Sequence, residues 1–223
     1  MRRPLLALAF GLVVAAFASA HALYITTSGD KIVVVFSDSL EPDPKVKDAT
    51  WKKVGTPTFR VRDIRGTVTE VKTEAAESCL KATVPAGTAM ISGTVPYGIS
   101  THGAKPKLQT YYPKAVLAGT TGRDATLGAT AILEIVPEVE AGKVRFLVLA
   151  KGKPVAMAEV SVLVPEKKES EKATTDDKGL TAAFEAKGRY GVVVRMVEAK
   201  PGELKGEKYE EVSSVATLVF DVK

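Results

Sequence analysis

Apolar residues in this chain recur in short runs with a period of two, and that pattern restricts the fold more than any other feature. Phe59 and Val61 alternate with Arg60 and Arg62, and Leu80, Ala82 and Val84 fall on one face. Val144, Phe146 and Val148 repeat the pattern, as do Val160, Val162 and Val164. Tyr190, Val192, Val194 and Met196 form a longer series, and Ala216, Leu218, Phe220 and Val222 form the last. Alternate side chains of a strand point to opposite faces, so each series marks a half-buried strand. Ile32 to Phe36 is continuously apolar, as a central strand covered on both faces would be. Ala89 to Val95 and Ala131 to Val136 read as further strands. Gly, Pro and Asp separate the runs, and with no asparagine in the chain the turns must rely on them. Long apolar patterns of period 3.6 are absent, and one short helix is expected around Lys45 to Lys53, after Pro42 and Pro44. The prediction is an all-β protein of sandwiches or barrels rather than βαβ units.

The first twenty residues have a separate logic. Arg2 and Arg3 precede an apolar run from Leu5 to Phe17, and Ala18-Ser19-Ala20 is an A-x-A cleavage site. That order reads as a secretory signal peptide over residues 1–20, which places the mature chain in the periplasm or outside the cell. The apolar run is shorter than the roughly 20 residues of a membrane span, and no later segment approaches that length. The mature chain is therefore expected to lack a transmembrane segment.

With Cys79 as its single cysteine, the chain has no internal disulfide and must be held by its core. Cys79 alternates with polar neighbours and has no nearby His or helix start, so a part-buried, unreactive thiol is expected. The formal net charge of +5 becomes +3 once Arg2 and Arg3 leave with the leader. No basic stripe with interleaved aromatics accompanies that mild excess, which argues against a nucleic-acid partner. The run Glu166 to Lys172 alternates in sign and reads as a solvated hairpin loop. None of G-x-S-x-G, H-E-x-x-H or G-x-x-x-x-G-K-[ST] occurs, and nothing pairs the carboxylates into an acid/base set, so an enzyme is not expected.

A boundary is expected at Pro137 to Gly142, where polar residues separate two strands. It divides the mature chain into tandem β-sandwich domains over residues 21–137 and 138–223, about 115 and about 85 residues, both ordinary sandwich lengths. The second half carries a distinctive order. Gly152-Lys153-Pro154 leads through small Ala156 and Ala158 into the Val160 strand. Thr175 ends another strand, Asp176-Asp177-Lys178-Gly179 makes a tight turn, and Leu180, Ala182 and Phe184 alternate onward before Gly188-Arg189-Tyr190. From Val144 to Val197 this order resembles the carboxypeptidase-regulatory-like, or transthyretin-like, sandwich, with Met157 where that pattern usually has Gly. The resemblance implies a non-catalytic spacer, stability module or binding platform. Asp176 and Asp177 are expected to serve the turn, because calcium would need several more converging oxygens.

Cleavage after Ala20 would leave His21 as the first residue; Ala20-His21-Ala22 is itself an A-x-A site, and cleavage after Ala22 would remove it. A terminal His offers its α-amine and ring Nδ1 as a chelating pair, and a second imidazole completes an N₃ site of the kind copper or nickel favours. The second histidine of the chain, His102, lies in the Gly-rich segment Pro96 to Pro106, so His21 and His102 are the candidate metal ligands. The plainer readings are a frayed terminal residue and a metal-free loop histidine. Tyr97, Tyr111 and Tyr112 are expected as strand and core aromatics, and Lys105, Lys107 and Lys114 as solvated side chains. The start His21-Ala22-Leu23-Tyr24-Ile25, with Phe36 to Pro42 and Tyr111-Tyr112-Pro113-Lys114-Ala115, resembles a family of exported bacterial proteins of unknown function. Members were once described as periplasmic components of nickel or cobalt uptake, and they pair an N-terminal β domain with a transthyretin-like one. Many have a His-x-His start, where this chain has Leu23. The resemblance implies a periplasmic nickel-, cobalt- or copper-binding or delivery protein working with a membrane metal transporter or another envelope protein. The rival readings are an envelope scaffold that binds a protein or glycan, and an oxidative enzyme built on a copper site.

Overall fold

The computed structural model describes residues 21–46, 51, 54–117 and 119–223. Residues 1–20, where a signal peptide is expected, and most of the helix expected around Lys45 to Lys53 lie outside the described residues. The fold is all-β. In chain order the strands are β1 (Ala22–Ser28), β2 (Lys31–Ser37), β3 (Thr58–Asp63), β4 (Val68–Val71), β5 (Glu74–Ala76), β6 (Cys79–Thr83), β7 (Thr88–Ser100) and β8 (Lys107–Val116). After a 3₁₀ turn at Gly122–Ala125 come β9 (Glu134–Glu140), β10 (Lys143–Ala150), β11 (Lys153–Pro154), β12 (Glu159–Leu163), β13 (Glu171–Thr174), β14 (Gly188–Leu204) and β15 (Glu207–Val222). No helix among these residues is long and apolar enough to cross a membrane.

Three sheets form: β1-β2-β6-β5, β11-β10-β9, and an eight-stranded sheet β13-β12-β14-β15-β8-β7-β3-β4. The large sheet draws strands from both halves of the chain. Its seam is β15 against β8, a parallel pairing from Glu211↔Lys107 to Phe220↔Val116. Alternation then assigns each seam strand to two cores. Val215 and Val219 of β15, with Tyr111 and Ala115 of β8, face a core completed by β1, β2 and β6. Ala216, Leu218 and Phe220, with Val116, face a second core completed by β9 and β10. The two expected sandwiches therefore share their middle layer. The outer edge of β1 is sealed across the first core, where Thr217 Oγ1 donates to the Leu23 carbonyl at 2.6 Å.

Several local expectations change. The segment from Pro137 to Gly142, read as a linker, belongs to a β-hairpin: Pro137 lies within β9 opposite Phe146, and the turn shrinks to Ala141-Gly142. Proline is tolerated because β9 is an edge strand, where a missing N–H costs no ladder bond. The strand expected over Ala131 to Val136 begins only at Glu134. Leu180 to Phe184 forms isolated bridges to β10 instead of a continuous strand. Cys79 is buried rather than part-buried, because its alternation carries it into the first core opposite Val35.

Lys114 departs furthest from expectation. Read as solvated, it is buried, and its Nζ donates to Glu134 at 2.7 Å and to the Ala125 carbonyl at 2.9 Å. Glu134 also accepts the backbone N–H groups of Leu127 and Gly128. The pair ties β8 to the segment leading into β9. Burial pushes the Lys114 amine down from 10.5 to about 8, and the neighbouring Glu134 carboxylate offsets part of that push.

The segment Asp176 to Gly179 forms the expected tight turn. Asp176 Oδ1 accepts the N–H groups of Lys178 and Leu180, and Gly179 has φ +79°. The other Asp176 oxygen pairs with Arg145 at 3.0 Å, so Asp176 serves the turn and an ion pair. The exposed Met157 has φ +57°, the left-handed conformation that glycine adopts at no cost.

Two measurements test this account. Met157→Gly should leave stability unchanged or raise it, whereas β-branched Met157→Val should lower it by about 1 kcal/mol or more in urea unfolding. Lys114→Met, which strands a buried carboxylate, should cost about 3 kcal/mol, and adding Glu134→Gln should restore part of that. Above pH 8 the folded protein releases a Lys114 proton that the unfolded chain keeps up to its ordinary range. This group's contribution to stability therefore rises with pH across that window, and the rise should vanish in Lys114→Met.

Candidate metal site

His21 immediately precedes β1, and the register of the first hairpin decides what it meets. A two-residue loop at Gly29-Asp30 pairs Ser28 with Lys31 and, at the far end, Ala22 with Ser37. Gly29 has φ +60°, the positive value a tight hairpin loop needs at its first position. One step beyond the last pair, the strand partner of residue 21 is residue 38. Asp38 accordingly puts Oδ1 3.5 Å from His21 Nδ1.

The chain after β2 supplies a second carboxylate. Ser37 Oγ accepts the Ser39 N–H, and the segment turns again where Asp43 Oδ1 accepts the Lys45 N–H at 2.8 Å. The other Asp43 oxygen lies 2.8 Å from His21 Nε2. The Lys45 N–H and then the His21 ring hold the Asp43 carboxyl below its usual range. The imidazole rests against Phe36, with ring centroids 5.6 Å apart, and is about one-third exposed.

The shorter of the two carboxylate contacts is at Nε2. A neutral ring that gives its Nε2–H to Asp43 keeps its lone pair on Nδ1. Metal-ligating histidines commonly show the same device, one ring nitrogen donating to a carboxylate while the other stays free to coordinate.

His102 is the other candidate ligand. It lies in the exposed loop between β7 and β8, where its N–H donates weakly to Ser100 Oγ at 3.4 Å. The contacts of His21 run to Asp38, Asp43 and Phe36, and none among the described residues joins the two histidines. From Phe36 the aromatic contacts continue to Tyr97 and Tyr111, at 5.9 and 5.8 Å. Tyr111 is buried while Tyr97 and Tyr112 are half-buried, as strand and core aromatics should be. Lys105 and Lys107 pair with Glu210 and Glu211 on β15. No group of three or more His, Cys, Asp or Glu side chains among the described residues is arranged to hold a metal ion. Sequence reasoning missed Asp38 and Asp43; the signal for Asp38 was the Gly29-Asp30 turn, from which the 21–38 pairing follows by counting.

No family model matches the sequence, and the comparison with curated proteins gave no match. Among solved structures, the chain aligns with a pullulanase from Anoxybacillus sp. LM18-11 at 17% identity and TM-score 0.20, over 86% of this chain and 27% of that one. The same enzyme complexed with maltotriose aligns at 18% and TM-score 0.19, over 78% and 24%. The chain thus spans about a quarter of those structures, and likeness at that level carries no argument about fold or activity.

The tautomer is open to direct measurement. In ¹H–¹⁵N long-range spectra recorded where the ring is neutral, His21 should show protonated Nε2 and bare Nδ1. Asp43→Ala should mix the two tautomers, while His102 should be indifferent to that change.

Proposed function

We propose that the mature chain begins at His21 and is an exported, periplasmic protein that binds a divalent transition metal of the copper, nickel or cobalt kind. The donors are the α-amine and Nδ1 of His21 with the Asp38 carboxylate. Asp43 holds the ring by its Nε2–H and is a positioning residue. The observation that carries this reading is the opposed pair of carboxylates on one imidazole, one fixing the tautomer and the other lying beside the nitrogen left free. The α-amine is a main-chain group, so the chelate needs no cluster of three side chains. Amine, imidazole and carboxylate together suit borderline divalent ions. We leave His102, the second ligand expected from the sequence, outside this donor set because the contacts of His21 run to Asp38, Asp43 and Phe36.

Binding or delivery, rather than catalysis, is the role we assign, with a membrane metal transporter or envelope protein as recipient. The rival, a scaffold for a protein or glycan partner, needs no metal and no free His21 amine.

Intact mass fixes the first residue, and titration with Cu(II) and Ni(II) then follows. His21→Ala should abolish tight binding, and Asp38→Ala should weaken it at least tenfold. Asp43→Asn should cost roughly 10- to 100-fold, the usual effect of removing an outer carboxylate. His102→Ala should change nothing. Binding that survives His21→Ala, or a mature chain beginning at Leu23, would sink the proposal.

A further inference from the structure

The second core covers only part of its face of the large sheet. From β7 outward to the edge strand β4 that face is open, and it floors a cavity of about 450 Å³, within the usual range for small-molecule sites. The floor is ordered by strand register: Arg60 lies beside Ser92, and Arg62 beside Met90. Thr94 and the half-buried Tyr112 extend it toward β8. The wall is the segment from Leu127 to Leu133.

That wall is fastened from below. Glu134 holds the N–H groups of Leu127 and Gly128, and Lys114 holds Glu134 and the Ala125 carbonyl. Arg62 donates to the carbonyls of Thr126 and Asp124, so its guanidinium is committed to the wall. Arg60 is not committed. Its cross-strand neighbour Glu70 lies on the same face, but no ion pair within 4 Å joins the two among the described residues. The floor therefore offers one guanidinium without a close ion pair, beside Ser92 and Thr94. At the mouth stand two apolar side chains left to solvent, Val68 at 58% and Ile132 at 43% exposure.

We propose that this cavity binds a small organic monocarboxylate with an apolar or aromatic body. The carboxylate sits on Arg60 and the adjacent hydroxyls, and the body lies over Tyr112 between Val68 and Ile132. A guanidinium matches a carboxylate in a planar, two-point contact. A phosphate dianion would call for a second free cation, and a neutral sugar for a broader aromatic platform than one tyrosine. The assignment is independent of the metal site, since it uses none of its residues.

The test is chemical-shift mapping on the mature protein with 3-phenylpropionate, hexanoate, 3-phenylpropionamide and inorganic phosphate. The two carboxylates should shift the amides of Arg60, Ser92, Thr94 and Ile132 with affinities of about a millimolar or better. The neutral amide should bind about tenfold more weakly, and Arg60→Gln should cost the carboxylates a similar factor, as expected for a lost charge-assisted hydrogen bond. Arg60 is exposed, so its variant should keep the spectrum of the rest of the protein; Ile132→Glu, placing an anion at the mouth, gives a second route to the same loss. The proposal is overturned by shifts outside the groove, by equal binding of acid and amide, by phosphate binding as tightly as the acids, by indifference to Arg60→Gln, or by no shift at all.

Discussion

Everything in this protein hangs on the parallel seam between β15 and β8. Those two strands are the only ones that bring the beginning and the end of the chain into one sheet among the described residues. Their alternate side chains supply the inner walls of both cores. Polar residues in that seam are few and buried: the Ser213 hydroxyl is enclosed without a hydrogen-bond partner among the described residues, whereas two others are partnered across a core. Thr217 finds a carbonyl on β1, and Lys114 finds a carboxylate from the segment opposite. Each solution binds an outer layer to the middle one, so two polar residues in the seam hold the layers in register.

The strands were legible because period-two alternation is a direct record of one buried face. The sharing of the middle layer was not, although the residues were there to be read. In β15 the even-numbered series Ala216, Leu218, Phe220 and Val222 reads as a half-buried strand. The odd-numbered Val215 and Val219 make the run apolar on both faces, which is the pattern of a covered central strand. Lys114 misled for a related reason: a lone lysine between apolar neighbours reads as surface until the carboxylate that neutralises it, twenty residues away, is brought alongside. Pro137 misled in turn, since proline signals a break everywhere except on a strand edge.

At the candidate site, the sequence yielded the residue but not its surroundings. His21 stood out because of its position behind an A-x-A site. Asp38 was within reach of simple counting from the Gly29 turn, whereas Asp43 was not. Asp43 approaches through an irregular connection in which the Ser37 and Ser39 hydroxyl oxygens accept the N–H groups of Ser39 and Glu41. The pairing of His21 with His102 rested on there being two histidines, an argument from inventory rather than from geometry. The register of the first hairpin sends His21 toward its own connecting loop.

The order of the strands has a temporal consequence. A chain that emerges N-terminus first, from a ribosome or through a membrane channel, presents β8 long before β15. Until the final strand arrives, the large sheet has a gap in its middle and both cores lack a wall. The contacts that close the molecule are therefore among the most distant in sequence, as between Thr217 and Leu23, and such long-range pairing slows folding. Such a chain cannot close either core before its last strand is available, so the two halves of the molecule become solid together rather than one after the other.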